Sequence, residues 1–122
     1  MKSKKSGKII SILSSYVVGK PPNGLVDYIV GKYSLLGLTK CMAVELGEFG
    51  IRVNSVSPSM VNTPLTEPLP RMLKETIKSQ IPIENRLAEP SEVAEVVLFL
   101  CTEGANYITG ENILITGGYS MR

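Results

Sequence analysis

A layered α/β fold with a parallel sheet is the architecture predicted by this chain of 122 residues. Three short apolar, β-branched runs are separated by long helical patterns rather than by tight hairpin turns. Strands so connected pair in parallel through right-handed crossovers. The composition agrees: 43% hydrophobic and 20% charged residues is ordinary for a folded globular chain and far from that of a disordered one.

Residues 8–13, KIISIL, form the first run and carry the signature of a strand buried on both faces. A loop rich in Pro, Gly and Asn follows at 19–24. A long helical pattern then runs over residues 27–48, with Asp27 near its start and Gly50 marking its end. Residues 51–57, IRVNSVS, are the second strand, closed by Pro58. Six of the eight prolines lie in residues 58–90, a segment whose one amphipathic stretch, 71–80, sets Met72, Leu73 and Ile77 on one side. Pro90 opens another helix, on which Val93, Val96, Val97, Leu100 and Cys101 make the stripe of a helix lying on a sheet. Residues 112–116, NILIT, are the third strand, ended by Gly117 and Gly118. The whole reads as one domain over 1–122, with a basic tail at 1–7.

Several functions are disfavoured. The net charge is only +2, and the lysine cluster at Lys2, Lys4, Lys5 and Lys8 is followed by no aromatic interleaving or basic face, so it reads as a solvated end and no nucleic-acid partner is expected. No apolar run reaches the roughly 20 residues that span a bilayer, and IISIL is too short for the apolar region of a signal peptide. Cys41 and Cys101 sit in apolar helical patterns and read as reduced core residues of a cytoplasmic protein. Histidine is absent, which removes His-based triads and most zinc sites; no metal is expected.

The pattern Tyr-x-Val-Gly-Lys occurs twice, at Tyr16–Lys20 and at Tyr28–Lys32. Residues four apart meet only on a helix. The first pair fails that condition, because Val17 and Val18 are β-branched, Gly19 lies inside it, and Lys20 precedes Pro21. The second opens more than four turns of helix former. Gly31 inside it costs about 1 kcal/mol relative to alanine, and leaves room for another molecule to come close. A phenol ordinarily ionises near 10, and a lysine ammonium held beside it favours the phenolate. Such a pair suits proton transfer near neutral pH. Ser14 and Ser15 stand where the first strand ends, the edge at which open α/β sheets bind ligands. A hydroxyl there suits a substrate oxygen on which charge develops.

Ser15, then Tyr28 thirteen residues later, then Lys32, followed by YSLLGLTKCMAVELGEFGIRVNSVSPSMVNTP, resembles the catalytic half of the short-chain dehydrogenase/reductases, closest to the 3-oxoacyl-acyl-carrier-protein reductase type. Further motifs follow in order: Ile51-Arg-Val-Asn54-Ser-Val-Ser-Pro58, Arg86 with Pro90-Ser-Glu-Val-Ala94, and Ile108-Thr-Gly110 through Gly117-Gly118. The resemblance implies a Rossmann-like three-layer fold, present as its carboxyl-terminal half, strand-helix-strand-helix-strand. It implies an oxidoreductase that moves hydride between NADP or NAD and a small-molecule carbonyl or alcohol. Tyr28 would be the acid/base, Ser15 would hold the carbonyl oxygen, and Lys32 would lower the Tyr28 pKa and bind the nicotinamide ribose. Pro58-Ser-Met-Val-Asn-Thr63 resembles the family's PGxxxT, in which the backbone near Val61 and the Thr63 side chain receive the nicotinamide carboxamide. Residues 64–82 would be a substrate lid, with Leu69, Met72, Leu73 and Ile77 favouring an apolar substrate portion. The long helix would pack on its equivalent in a second subunit, giving a homo-oligomer, as its apolar side chains on two sides suggest (Ile29, Tyr33, Leu36; Leu35, Leu38, Met42, Leu46).

The chain also departs from the family. No TGxxxGxG precedes the first strand, so only the nicotinamide half of a cofactor site is expected, and the choice between NAD and NADP stays open. The chain is expected to begin in the middle of the fold, to be inactive alone, and to expose one side of its sheet. Ser59 replaces a Gly, Gly31 a Ser or Ala, and Thr116 an Asp. Spacing favours Ser15, but Ser14 is adjacent and stays open. Asn54 reads as a structural hydrogen-bonding residue, and Thr63 before Pro64 is also compatible with a helix N-cap. A second functional reading is a non-catalytic oligomerisation or partner-binding module derived from such an enzyme.

Overall fold

The computed structural model describes residues 1–121. Strands β1 (Gly7–Ile12), β2 (Ile51–Pro58) and β3 (Asn112–Ile115) form one parallel sheet in the order β1-β2-β3. Helix α1 (Val26–Gly47) connects the first two strands. Helices α2 (Arg71–Ser79) and α3 (Pro90–Cys101) lie between β2 and β3. The Rossmann-like α/β architecture read from the sequence is the one observed, with strand and helix limits within about two residues.

β2 is the centre. Ile51 to Ser57 are buried without a break. Side chains alternate across a strand, and the two faces meet different helices. Ile51 and Val53 pack with Ala43, Met42 and Leu46 of α1. Val56 packs with Leu100, Val93, Val96 and Val97 of α3, joined by Ile10 and Ile113. These are the two outer layers on one sheet.

The polar residues of β2 are satisfied internally. Asn54, fully buried, donates its amide to the Ile108 carbonyl at 2.8 Å and accepts the Glu111 N–H at 3.0 Å, a structural clamp as its sequence context suggests. Arg52 donates to the carbonyls of Leu100 and Thr102, at 2.8 and 3.2 Å, and so places its charge on the last carbonyls of α3. Ser55 and Ser57 both donate to Asn112 Oδ1. Gly50 turns the chain into β2 with φ +65°, and a Cβ there would meet the Lys5 carbonyl.

Two expectations are corrected. β1 is not buried on both faces: among the described residues it pairs only with β2, no residue of it is fully buried, and Ile12 is 45% exposed. Its apolar run matched an interior strand because composition does not reveal how many neighbours a strand has. Cys41 is exposed on α1 rather than in the core, and Cys101 is half-buried; both thiols are free. Of the apolar side of α2 only Ile77 is an anchor, packed with Ile81 and Leu87, while Met72 and Leu73 are exposed. The lysine tail is exposed as expected, but it is shaped by a 3-10 turn at Lys2–Lys4 that sets the Lys2 ammonium 4.6 Å over the Phe49 ring.

The start of α3 is pinned by charge. Arg86 meets both carboxylate oxygens of Glu92, at 2.7 and 2.8 Å, and Glu92 also accepts the N–H of Glu89 in a capping box. The Arg86 hydrogen bonds, with the Glu89 N–H second, hold the Glu92 carboxyl down at about 2 from its ordinary 4.5. A carboxylate whose pKa is depressed by folding adds stability above its unfolded value and loses it as pH falls through the folded one. Glu92→Gln is therefore expected to lower the melting temperature at pH 7. The gap from the parent should shrink as pH falls below 4.5 and close near 2; thermal melts across that range check it.

Candidate functional site

All three strands are parallel, so their carboxyl ends share one edge, with Ile12 opposite Val56 and Pro58 opposite Ile115. The residues singled out in the sequence after the first and second strands therefore come to the same side of the sheet.

After β1 the chain enters a 3-10 turn at Ser15–Val17. Ser14 is its N-cap, and its hydroxyl accepts the Tyr16 N–H at 3.3 Å. Ser15 is the more deeply buried, at 2% exposure, and its hydroxyl takes part in no hydrogen bond among the described residues. Ser14 is thus committed to capping, while Ser15 keeps its donor and acceptor capacity.

Tyr28 lies in the first turn of α1, 42% exposed. One turn on, the Lys32 ammonium sits 5.6 Å from the centre of the Tyr28 ring and donates to the Ile12 carbonyl at 2.8 Å. A single lysine therefore ties the start of α1 to the end of the strand that carries Ser14 and Ser15. The first tyrosine pair is not formed in this way: Tyr16 is in the 3-10 turn, and Lys20 lies in the exposed loop beyond it.

Pro58 is the last residue of β2, and the Ser59 N–H extends the pairing by donating to the Ile115 carbonyl at 3.1 Å. Val61 bridges to Ala88, with the Asn62 N–H on the Ala88 carbonyl at 2.8 Å. Thr63 is not a helix N-cap. It begins a turn in which its carbonyl accepts the N–H groups of Thr66 and Glu67 at 3.0 Å. No hydrogen bond among the described residues joins Thr63 to Tyr28 or Lys32. They are two groups on one edge, not one bonded network.

Sequence reasoning passed over two tyrosines. Tyr16 is half-buried, and its phenol is pushed up from the usual value of 10, first by burial, then by the nearby phenols of Tyr119 and Tyr28. Tyr119 packs on the cluster of Ile77, Ile81 and Leu87 at the foot of the segment 64–82. It is carried there by a turn in which Thr116 Oγ1 donates to the Ser120 carbonyl. Gly117 and Gly118 in that turn have φ +59° and +89°, and a Cβ on either would press on Ile81 or Pro82. The position of Tyr16 next to Ser15 was a usable signal. For Tyr119 there was none, since its place depends on a turn after the last strand. The cleft of about 280 Å³ between Ser59, Arg86, Glu92 and Thr116 excludes Ser15, Tyr28 and Lys32, which stand on a more open part of the edge.

A family model described as Enoyl-(Acyl carrier protein) reductase matches residues 1–120. Similar curated proteins include the human (3R)-3-hydroxyacyl-CoA dehydrogenase, 43% identical over 94% of this chain and 43% of that protein. They also include two proteins named 3-oxoacyl-[acyl-carrier-protein] reductase FabG. The one from Aquifex aeolicus is 46% identical over 92% of this chain and 44% of its own length. The one from Thermotoga maritima is 40% identical over 97% and 47%. The chain belongs to the short-chain dehydrogenase/reductase family. It spans less than half the length of these relatives, which are oxidoreductases by name.

The two serines have separable roles. Ser14→Ala is expected to cost about 1 kcal/mol through the lost cap, and Ser15→Ala clearly less. Denaturant midpoints of the two variants check this.

Proposed function

We propose that the chain supplies the proton-transfer and nicotinamide-end residues of an NAD(P)(H)-dependent oxidoreductase that interconverts a carbonyl and the matching alcohol. The observation that carries this reading is Lys32, set over the Tyr28 ring and bonded to the strand end that bears Ser15. From the names of the relatives, the substrate class is a 3-oxoacyl or 3-hydroxyacyl thioester.

The chain's own residues fit the nicotinamide end of the cofactor. The N–H of Val61 takes no partner among the described residues, the Thr63 hydroxyl has only a distant neighbour, and the Lys32 ammonium has two further protons beyond the one it gives to Ile12. The cofactor, when bound, supplies or accepts the hydride. In the reductive direction Ser15 donates a hydrogen bond to the substrate oxygen, and Tyr28 delivers the phenolic proton to that oxygen as negative charge builds on it. The Lys32 ammonium stabilises the charge left on the phenolate. In the oxidative direction Tyr28 takes the proton back.

Tyr16 lies near the acid/base group, with Tyr119 near Tyr16. Tyr16, held protonated by burial and by its neighbours, is a hydrogen-bond donor there rather than a second base. The segment 64–82, fastened at Ile77, Ile81 and Leu87, covers the substrate.

A specific observation favours self-association as well. Val26, Val30, Tyr33 and Val44 of α1 are between 46 and 83% exposed, an apolar surface that a second copy of the same helix would cover. No helix among the described residues is long and apolar enough to cross a membrane.

Fluorescence titration of NADPH and NADH into the chain is expected to give saturable binding; none by a demonstrably folded chain would overturn the cofactor reading. In a preparation that turns over a 3-oxoacyl thioester, Tyr28→Phe is expected to lower the rate about 10²- to 10⁴-fold and to leave cofactor affinity within a few-fold. Light scattering is expected to give at least twice the chain mass, falling towards one chain in Val30→Asp/Val44→Asp. A monodisperse monomer for the parent would remove the second copy.

A further inference from the structure

The turn after β2 contains a residue that no motif drew attention to. Thr66 Oγ1 lies 2.6 Å from the Val61 carbonyl and 3.0 Å from the Thr63 carbonyl, and it accepts the Thr63 N–H at 3.1 Å. A threonine hydroxyl has one proton, and it goes to the nearer acceptor, Val61. The Thr63 carbonyl does not need it, since two backbone N–H groups already point there. On its far side the same turn is held by the Asn62 N–H on Ala88.

This arrangement has a consequence for Thr63. Its Oγ1 is 3.4 Å from Thr66 Oγ1, beyond the 2.5–3.0 Å of a good O–H···O bond. Because the Thr66 proton is engaged by Val61, any bond between the hydroxyls has Thr63 as donor, over a long 3.4 Å. The turn therefore offers two donors without good partners, the Val61 N–H and the Thr63 hydroxyl, beside a carbonyl with one lone pair still open. A primary carboxamide is the complement of that set: its oxygen takes two donors and its N–H fills the open lone pair.

We propose that Thr66 is a positioning residue for the carboxamide end of a nicotinamide cofactor, its hydroxyl holding the turn 61–66 so that Val61 and Thr63 present their donors together. The proposal rests on the cofactor reading given above. Thr66 itself does not touch the cofactor; it acts through Val61 and Thr63.

The test is a fluorescence titration of reduced nicotinamide mononucleotide into the parent chain, Thr66→Ser and Thr66→Val, with a thermal melt of each. This probe carries the carboxamide and its ribose but no adenylate portion. Thr66→Ser, which keeps the hydroxyl, is expected to bind like the parent. Thr66→Val is expected to bind about tenfold more weakly, the worth of roughly one neutral hydrogen bond. Equal binding by all three would overturn the role of Thr66 and leave the cofactor reading standing. A parent chain that binds neither this probe nor NADPH nor NADH would overturn both. Should Thr66→Val fail to fold, Thr66→Ala replaces it, and unfolding of both would make Thr66 a structural clamp and overturn the assignment.

Discussion

The rest of the structure depends on β2 being buried along its length while carrying four hydrophilic residues, Arg52, Asn54, Ser55 and Ser57. A buried polar group without a partner costs on the order of 1–3 kcal/mol, so each has to be met by a specific atom of another element. Asn54 is met by the loop that leads into β3, Ser55 and Ser57 by Asn112 at its start, and Arg52 by the end of α3. Those bonds set the register of β3 on β2. A slip of one residue would strand all of them and turn the apolar faces over. Towards α1, β2 presents apolar contact through Ile51 and Val53, while β1 is tied to the helix by the Thr39–Ser11 and Lys32–Ile12 bonds. The sheet is thus specified by polar pairing towards β3 and by apolar packing towards α1.

With β2 fixed, the functional edge follows. Parallel strands put the serines after β1 and the Val61–Thr63 turn after β2 on the same side, and α1 has to start there to return along the sheet. Lys32 is where that geometry takes hold of a side chain. Its bond to the Ile12 carbonyl uses a backbone acceptor at a strand end, so the ammonium is held against the sheet, 5.6 Å from the centre of the Tyr28 ring. The carbonyl would otherwise go to water, and the lysine would otherwise be one more mobile surface cation. The turn 61–66 works by the same principle, with the Thr66 hydroxyl in the place of the ammonium.

Much of this was legible in the sequence because it follows from periodicity and punctuation. The stripe from Val93 to Cys101, the Pro at the start of α3 and the Gly at position 50 each have one structural meaning, and the elements they bound were observed. Tyr28 and Lys32 could be paired on paper because helix spacing puts them on one face. What could not be read depends on neighbours distant in sequence. β1 has the composition of an interior strand but has one neighbour among the described residues. Cys41 looked like core because α1 is apolar on most of its surface, so pattern alone does not say which side meets the sheet; the centre of that side turned out to hold Thr39, bonded to Ser11. Thr66 was missed for a related reason. A hydroxyl three residues after another is common in turns, and only the distances to Val61 and Thr63 distinguish it.

The two copies of Tyr-x-Val-Gly-Lys show how little a motif says without its backbone. Both tyrosines reach the same edge of the sheet, Tyr16 from a 3-10 turn and Tyr28 from the first turn of a helix. In the helix the lysine returns to the ring; in the turn it is carried away into the loop. The first phenol is left with burial and two other phenols as its surroundings, which favour the neutral form. The second has an ammonium 5.6 Å from the centre of its ring. Identical residues thus meet different surroundings, a 3-10 turn among other phenols in one copy and a helix with its own lysine in the other. The difference lies in Gly19 and Pro21, which stop the first copy from becoming a helix, and in the uninterrupted helix formers that follow the second.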